Sequence, residues 1–288
     1  MGFQDVVNGL LQGGVYIAVA LGLALVFGTL RLMNLAHGAV LIGGGYLAYA
    51  VQRYLGIGPV IGVLIVIPTF LVGGFLLQRF YLSRVMSSSS EAVLVATFGV
   101  ALVLQSVYAQ VFTSDTRGLR ASYLEGGVDV LGVRAQVIDL VALGFGLVCA
   151  AAMHLILTRT RAGAAVRAAA ADPETASVIG IDVRRTFAIT MGIGCALAAS
   201  AGMIVVGLGG SLSPAGGLEW LVKSFAVVVL AGVGSVVGIV VAGFALGLVQ
   251  VFGAQIAGNE YADLVVYGAL FLFLAVKPTG LFGEATPA

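Results

Sequence analysis

The chain is a series of long uncharged runs separated by short charged ones. The runs extend from Val6 to Leu30, Leu32 to Gln52, Tyr54 to Gln78, Ala92 to Ser114, Leu140 to Thr158, Thr186 to Leu218, Ser224 to Asn259 and Leu264 to Val276. A hydrocarbon core about 30 Å thick is crossed by roughly 20 apolar residues of helix. Most runs suffice for one span. The run from Ser224 is too long for one and is interrupted by Gly232-Val233-Gly234-Ser235. The pattern predicts spans over about 6–30, 35–52, 57–77, 92–112, 137–157, 187–208, a short segment 224–231, then 236–252 and 261–276. Backbone polar groups in lipid must be satisfied within the segment, and the runs lack the alternation of barrel strands, so these are helices. The fold class is all-α: a polytopic integral membrane bundle of eight to nine segments, some broken or re-entrant.

Composition sharpens this. Hydrophobic residues are 60% and charged residues 9% of 288, with a net charge of +1. Soluble domains are about a quarter charged. A soluble enzyme, a disordered chain and a nucleic-acid binder are excluded. The first thirty residues hold no Lys or Arg, so no cleaved leader is expected. Cys149 and Cys195 fall inside predicted spans and read as packing residues, with neither a disulfide nor a metal site expected.

Basic residues set the expected orientation. With the loop from Thr158 to Thr186 in the cytoplasm, Arg159, Arg161, Arg167, Arg184, Arg185, Arg31, Arg79, Arg84 and Lys277 fall inside. Arg53, Arg117, Arg120, Arg134 and Lys223 fall outside. Nine crossings put the N-terminus outside and the C-terminus inside. If segment 224–231 is a re-entrant arm, the C-terminus moves outside.

Three hydrophilic places stand out. The outer loop Thr113–Gln136 mixes charge signs and is either a docking surface or a connector. The outer loop Gly209–Leu221 holds Pro214, Gly216, Gly217 and the sole tryptophan, Trp220, an expected interfacial anchor. The inner segment Arg159–Arg185 spells a two-turn helix over 173–179. Asp172 suits the N-cap, Pro173 the first helical position, Glu174 the positive helix end and Gly180 a left-handed stop. Ala176 and Ile179 share one face, extended by Gly180 and Ile181. So short a helix needs a partner, either lipid and its own bundle or another protein.

Polar breaks mark a second feature. Arg31, Asn34, His37 and Gly38 stand between two spans with almost no loop, and Gly232, Gly234 and Ser235 are their counterpart in the second half. Paired breaks in two halves point to a central pathway. The alternative is a tight cytoplasmic hairpin in which Asn34 caps the next helix and His37 is a satisfied polar residue. Glycines four apart, at Gly9 and Gly13, Gly58 and Gly62, Gly234 and Gly238, and Gly243 and Gly247, favour dense helix packing. The two lysines, Lys223 and Lys277, lie in no phosphate-binding loop, and no His-Glu-x-x-His pattern occurs. Asp139 and Asp263 sit near span ends and no acidic residue is placed mid-span, which counts against ion coupling.

Several stretches resemble the permeases of branched-chain amino acid ABC transporters, the LivH type more than the longer LivM type. These are Asn8-Gly9-Leu10, Gly14-Val15-Tyr16-Ile17-Ala18, Phe27-Gly28 and Met33-Asn34-Leu35-Ala36-His37-Gly38, with Leu35 where Phe is common. Arg161-Ala-Gly, Arg167-Ala-Ala, Asp172, Ala176-Ser177 and Gly180-Ile181 follow, then Lys223-Ser224-Phe225, Leu230-Ala-Gly-Val-Gly-Ser235 with Gly238, and Pro278-Thr279-Gly280-Leu281-Phe282-Gly283. The resemblance implies a non-catalytic subunit of a bacterial inner-membrane importer. It implies a second related permease chain, two cytoplasmic P-loop ATPases that bind the ATP, and an extracytoplasmic solute-binding protein. The chain itself would hold no cofactor. The loop with Arg161, Gly163, Arg167, Asp172, Pro173, Ala176, Ile179, Gly180 and Ile181 would be the element that couples to an ATPase. Asn34, His37, Gly38, Gly232, Gly234 and Ser235 are the candidate path residues. A stand-alone secondary transporter is the alternative, and an intramembrane hydrolase a remote one.

Overall fold

Helix α1 (Phe3–Leu30) is the axis of the molecule. Its 28 residues, about 42 Å long, are buried along most of their length, as are those of α9 (Val183–Gly207). The computed structural model describes residues 2–86, 89–112, 126–130, 133–208 and 212–283. Around the two central helices stand α2 (His37–Leu55), α3 (Pro59–Leu76), α5 (Ser90–Phe112), α6 (Val137–Arg159), α10 (Gly217–Ala231), α11 (Val236–Ala257) and α12 (Ala262–Val276). Helix α3 runs through a π-helical turn, Leu77–Leu82, into the short α4 (Ser83–Val85). Helices α7 (Arg161–Ala171) and α8 (Pro173–Val178) lie between α6 and α9.

Eight of the described helices are long and apolar enough to cross a membrane, and α3, α5, α6 and α12 leave most of their residues unburied. Those residues include Leu64, Val95, Val148 and Leu264, the side chains that suit a lipid-facing shell. The chain is a multi-pass membrane protein. A ninth long helix, α2, is less apolar, with His37, three consecutive glycines and Arg53, yet it is largely buried. It lies inside the bundle, where packing rather than hydropathy decides its place.

Small residues bring the helices close. A Cβ on Gly247 would lie 2.4 Å from the Gly13 nitrogen and 2.4 Å from the Gly9 oxygen. The expected Gly9/Gly13 and Gly243/Gly247 faces therefore meet each other along α1 and α11. Gly62 makes no comparable approach, since a Cβ there meets only Val51 at 3.7 Å.

Three boundaries differ from the sequence reading. An antiparallel hairpin, β1 (Gly127–Val130) and β2 (Val133–Gln136), stands in what was expected to be outer loop. Gln4 ties it to the start of α1 through the Arg134 backbone, at 2.9 and 3.0 Å. Helix α7 was not anticipated, although its Ala-rich sequence favours helix and Thr160 caps it by accepting from the Gly163 amide. The short segment 224–231 is in fact α10, beginning at Gly217. Lys223 cut that helix in the reading of uncharged runs, but the structure buries it. Of the expected loops, 87–88, 113–125 with Arg117 and Arg120, 131–132 and 209–211 lie outside the described residues.

The bundle has two distinguishable ends. One carries the hairpin and the start of α1. The other carries the ends of α1, α6 and α10, helices α7 and α8, and the tail Lys277–Gly283. The tail's Leu281 and Phe282 amides donate to the Leu230 and Ala231 carbonyls, at 2.8 and 3.0 Å. These are carbonyls that the end of a helix leaves without intrahelical partners. The first and last described residues, Gly2 and Gly283, thus lie at opposite ends of the bundle.

Candidate functional site

The segment from Thr160 to Asp182 is built from caps. Gly163 lets α7 fold back on α6, since a Cβ there would sit 2.2 Å from the Ile156 carbonyl oxygen. Arg161 opens α7 and is exposed. Asp172 caps α8, its carboxylate accepting from the Glu174 and Thr175 amides at 3.0 and 3.2 Å and from the Thr175 hydroxyl. Pro173 takes the first helical position, where no amide donor is needed. Gly180 adopts φ +90°, and its amide donates to the Ser177 carbonyl while that of Ile181 donates to Ala176. This pair of bonds is the left-handed helix stop.

One expected surface is corrected. Ala176 is buried within this chain, whereas Val178 and Ile179 are exposed at 86% and 69%. Ile179 is already the C-cap, with ψ 10°, so the helix ends before it and the shared face with Ala176 does not form. The exposed apolar tip is Val178–Ile179. Thr175 bonding holds the Asp172 carboxyl below the usual carboxylate range. The cap is therefore intact above that range and is lost as pH falls through the depressed value. The protection of the Glu174 and Thr175 amides, measured against the intrinsic exchange rate at each pH, should hold at neutral pH and fall in acid.

The first break lies inside the bundle. Chain 31–36 is non-helical, and His37 Nε2 sits 3.0 Å from the Val19 carbonyl oxygen. Val19 is eleven residues before the end of α1, about 16 Å back along its axis. The chain climbs back along α1, and α2 starts near mid-depth. Asn34 and His37 are both buried. Asn34 Oδ1 accepts from the Ala36 amide at 3.0 Å, so its side chain serves the turn. Gly38 meets α10, with a Cβ there 1.9 Å from the Gly217 oxygen. The break is thus no surface hairpin; Asn34 Nδ2 also donates to Met191 Sδ at 3.7 Å, and the Leu35 amide to Thr97 Oγ1 at 3.2 Å.

The second break lies elsewhere. Gly232 and Gly234 have φ +86° and +88°, and Ser235 caps α11 by accepting from Gly238 at 2.9 Å. This turn sits beside Gly28 on α1 and lines a groove of about 980 Å³ with Arg31, Arg167, His154 and the tail. Gly28 is nine residues from Val19, so the two breaks are about 13 Å apart along α1. The structure therefore joins Gly232, Gly234 and Ser235 to Arg167 of the α7–α8 segment, and leaves Asn34, His37 and Gly38 in a separate neighbourhood.

Between them runs α10, whose two faces differ. One face, with Leu218, Leu221, Val222 and Phe225, lines an apolar cavity of about 270 Å³ together with Leu23, Phe27 and the residues Met33 to Leu35. The other holds Lys223, paired with Glu219 at 2.7 Å and with Asp263 of α12 at 3.3 Å. Its ammonium lies 5.2 Å from the centre of the Trp220 ring. Gln250 of α11 donates to Asp263 at 3.3 Å and accepts from Tyr16 of α1. Four helices thus share one polar network. The sequence reading placed Lys223 in an outer loop and missed this network; the i,i+4 spacing of Glu219 and Lys223 was the available signal.

The chain matches the family model described as the branched-chain amino acid transport system / permease component over residues 6–275. It is 29% identical to the high-affinity branched-chain amino acid transport system permease protein BraD of Pseudomonas aeruginosa, over 98% of this chain and 95% of the relative. Identity is also 29% to LivH of Escherichia coli K12, with the same coverage. It is 25% to a probable LivH of Methanocaldococcus jannaschii, over 95% and 90%. Among solved structures, a chain of PsaBC from Streptococcus pneumoniae in complex with Fab aligns with TM-score 0.52 and 13% identity over 96% of this chain and 93% of that one, a likeness of fold. With nearly the whole chain matched, the protein belongs to the family of branched-chain amino acid transport permease components.

Proposed function

We propose that this chain is one permease subunit of a binding-protein-dependent ABC importer for branched-chain or related amino acids in a bacterial inner membrane. A second, related permease completes the path. Two cytoplasmic P-loop ATPases attach to the pair, one of them docking at α7 and α8 of this chain, and an extracytoplasmic binding protein delivers cargo at the hairpin end. The chain performs no covalent chemistry and binds no ATP itself. Nucleotide in the partners biases a two-state rearrangement of the permease pair.

The observation that carries the coupling role is α8. A six-residue helix is marginal alone, yet this one is fixed by a cap at each end and presents Val178 and Ile179 outward. Apolar side chains held rigidly at a tip suit a groove on another protein. Val178→Asp with Ile179→Asp should leave membrane insertion intact and abolish ATPase recovery in a pull-down through this chain. Gly180→Val, strained by roughly 1–2 kcal/mol in a left-handed position, should weaken recovery, and Asp172→Ala should do so less. Ala176→Arg should also fail, because the arginine cannot pack where the methyl group is enclosed. Full ATPase recovery and cargo-stimulated hydrolysis in the double aspartate variant would refute the docking role.

Orientation has its own check. Thr175→Cys, with Cys149 and Cys195 replaced, should resist an impermeant thiol reagent in intact cells and react in inverted membranes. Labelling from outside would place α8 on the other side.

A further inference from the structure

Leu23, Phe27 and Arg31 are spaced four apart along and just beyond α1, the spacing of one helix row. Leu23 and Phe27 line the apolar cavity against Val222 and Phe225. Phe27 and Arg31 line the larger groove with Arg167 and His154. Phe27 belongs to both, and its ring meets Phe225 edge-on, with centroids 6.4 Å apart and planes at 71°. Exposure rises down the row, from 3% at Leu23 through a half-buried Phe27 to an exposed Arg31.

The chemistry changes along the same row. The upper part is apolar. At the lower end, no acidic side chain among the described residues lines the groove, and neither Arg31 nor Arg167 has an ion-pair partner among them. Arg31 is also the one non-glycine residue at positive φ, 53°, among those described. It is the left-handed stop of α1, its amide donating to the Phe27 carbonyl at 3.0 Å, a position glycine would fill with less strain. An amino acid with an aliphatic side chain offers the complement to both parts, a hydrocarbon group and a carboxylate.

We infer that this row is the exit wall for cargo: the apolar cavity carries the side chain, Phe27 against Phe225 closes its inner end, and Arg31 receives the carboxylate. This rests on the importer function proposed above, with the second permease supplying the facing wall. The test uses the complete transporter with its binding protein, in vesicles of zwitterionic lipid, so that no anionic headgroup competes for Arg31. Phe27→Ala should raise nucleotide-independent efflux of preloaded leucine several-fold; if that variant does not assemble, Phe27→Leu reads the same quantity. Arg31→Gly should lower leucine moved per ATP hydrolysed by roughly three- to tenfold, the scale of removing one partly solvated charged hydrogen bond from the path, and Arg31→Lys should restore most of it. A purely structural Arg31 predicts the opposite, because glycine relieves the positive φ and would leave stability and uptake equal or better. Both arms must respond, and a normal result in either overturns the assignment. If the unaltered transporter moves no amino acid, the importer function fails and this inference falls with it; normal uptake with unresponsive variants overturns the inference alone.

Discussion

Gly202→Ala, the addition of one methyl group, is expected to prevent the protein from reaching a stable fold. Where α9 crosses α2, a Cβ on Gly202 would lie 1.8 Å from the Leu41 carbonyl oxygen and 2.6 Å from its carbon. The same crossing holds Gly44, whose Cβ would stand 2.0 Å from the Ala199 oxygen. Backbone carbonyls have no rotamer to change, so the helices would have to part. Overpacking typically costs about 1–3 kcal/mol, and a clash against backbone belongs at or above the top of that range. Close approach of small residues is also what holds helices together in lipid. Gly99→Ala and Gly144→Ala are the controls, since nothing lies within 4 Å of either new Cβ. Both should be neutral or stabilising by about 0.5–1 kcal/mol. The measurement is the thermal midpoint of the detergent-purified protein. An unchanged midpoint in Gly202→Ala would mean the α2–α9 crossing is looser than described.

Lys223→Met should be the most damaging removal of a polar group. Lys223 is 8% exposed and holds two carboxylates on two helices. Breaking a buried ion pair costs about 3–5 kcal/mol. Glu219 and Asp263 are 56% and 42% exposed, so water takes up part of their charge and about 1–3 kcal/mol is expected. Adding Asp263→Asn should recover some of this, because the stranded charge disappears while Gln250 keeps an oxygen to donate to. A double-mutant cycle on the thermal midpoint isolates the pair. Strictly additive losses would show that α10 and α12 are not joined through this ion pair.

Most crossings were legible because most uncharged runs are long enough to match the hydrocarbon thickness. The ends of α8 were legible because caps are local: Asp172, Pro173 and Gly180 each solve a problem within a few residues of themselves. The Gly9/Gly13 and Gly243/Gly247 faces were legible as packing surfaces, but not as partners of one another. Ala176 and Ile179 were misjudged because a helical face exists only while the helix lasts, and α8 ends one residue earlier. The candidate path residues Asn34 and Gly234 were both correctly seen as lying in breaks. Their separation along α1 depended on how far chain 31–36 climbs, which no periodicity records.

Residue order alone was enough to specify a multi-pass all-α membrane protein, the course of most helices and the capping of the short surface helix. These follow from the transfer of single segments into lipid and from hydrogen bonds between near neighbours. Only the packed bundle settles that the moderately polar α2 starts near mid-depth and is enclosed, and that Lys223 lies within α10. Both outcomes depend on partners distant in the chain: Val19 for His37, Asp263 for Lys223. A polar group is costly in lipid only while it lacks a partner, and which partner arrives is fixed by the packing of helices against one another.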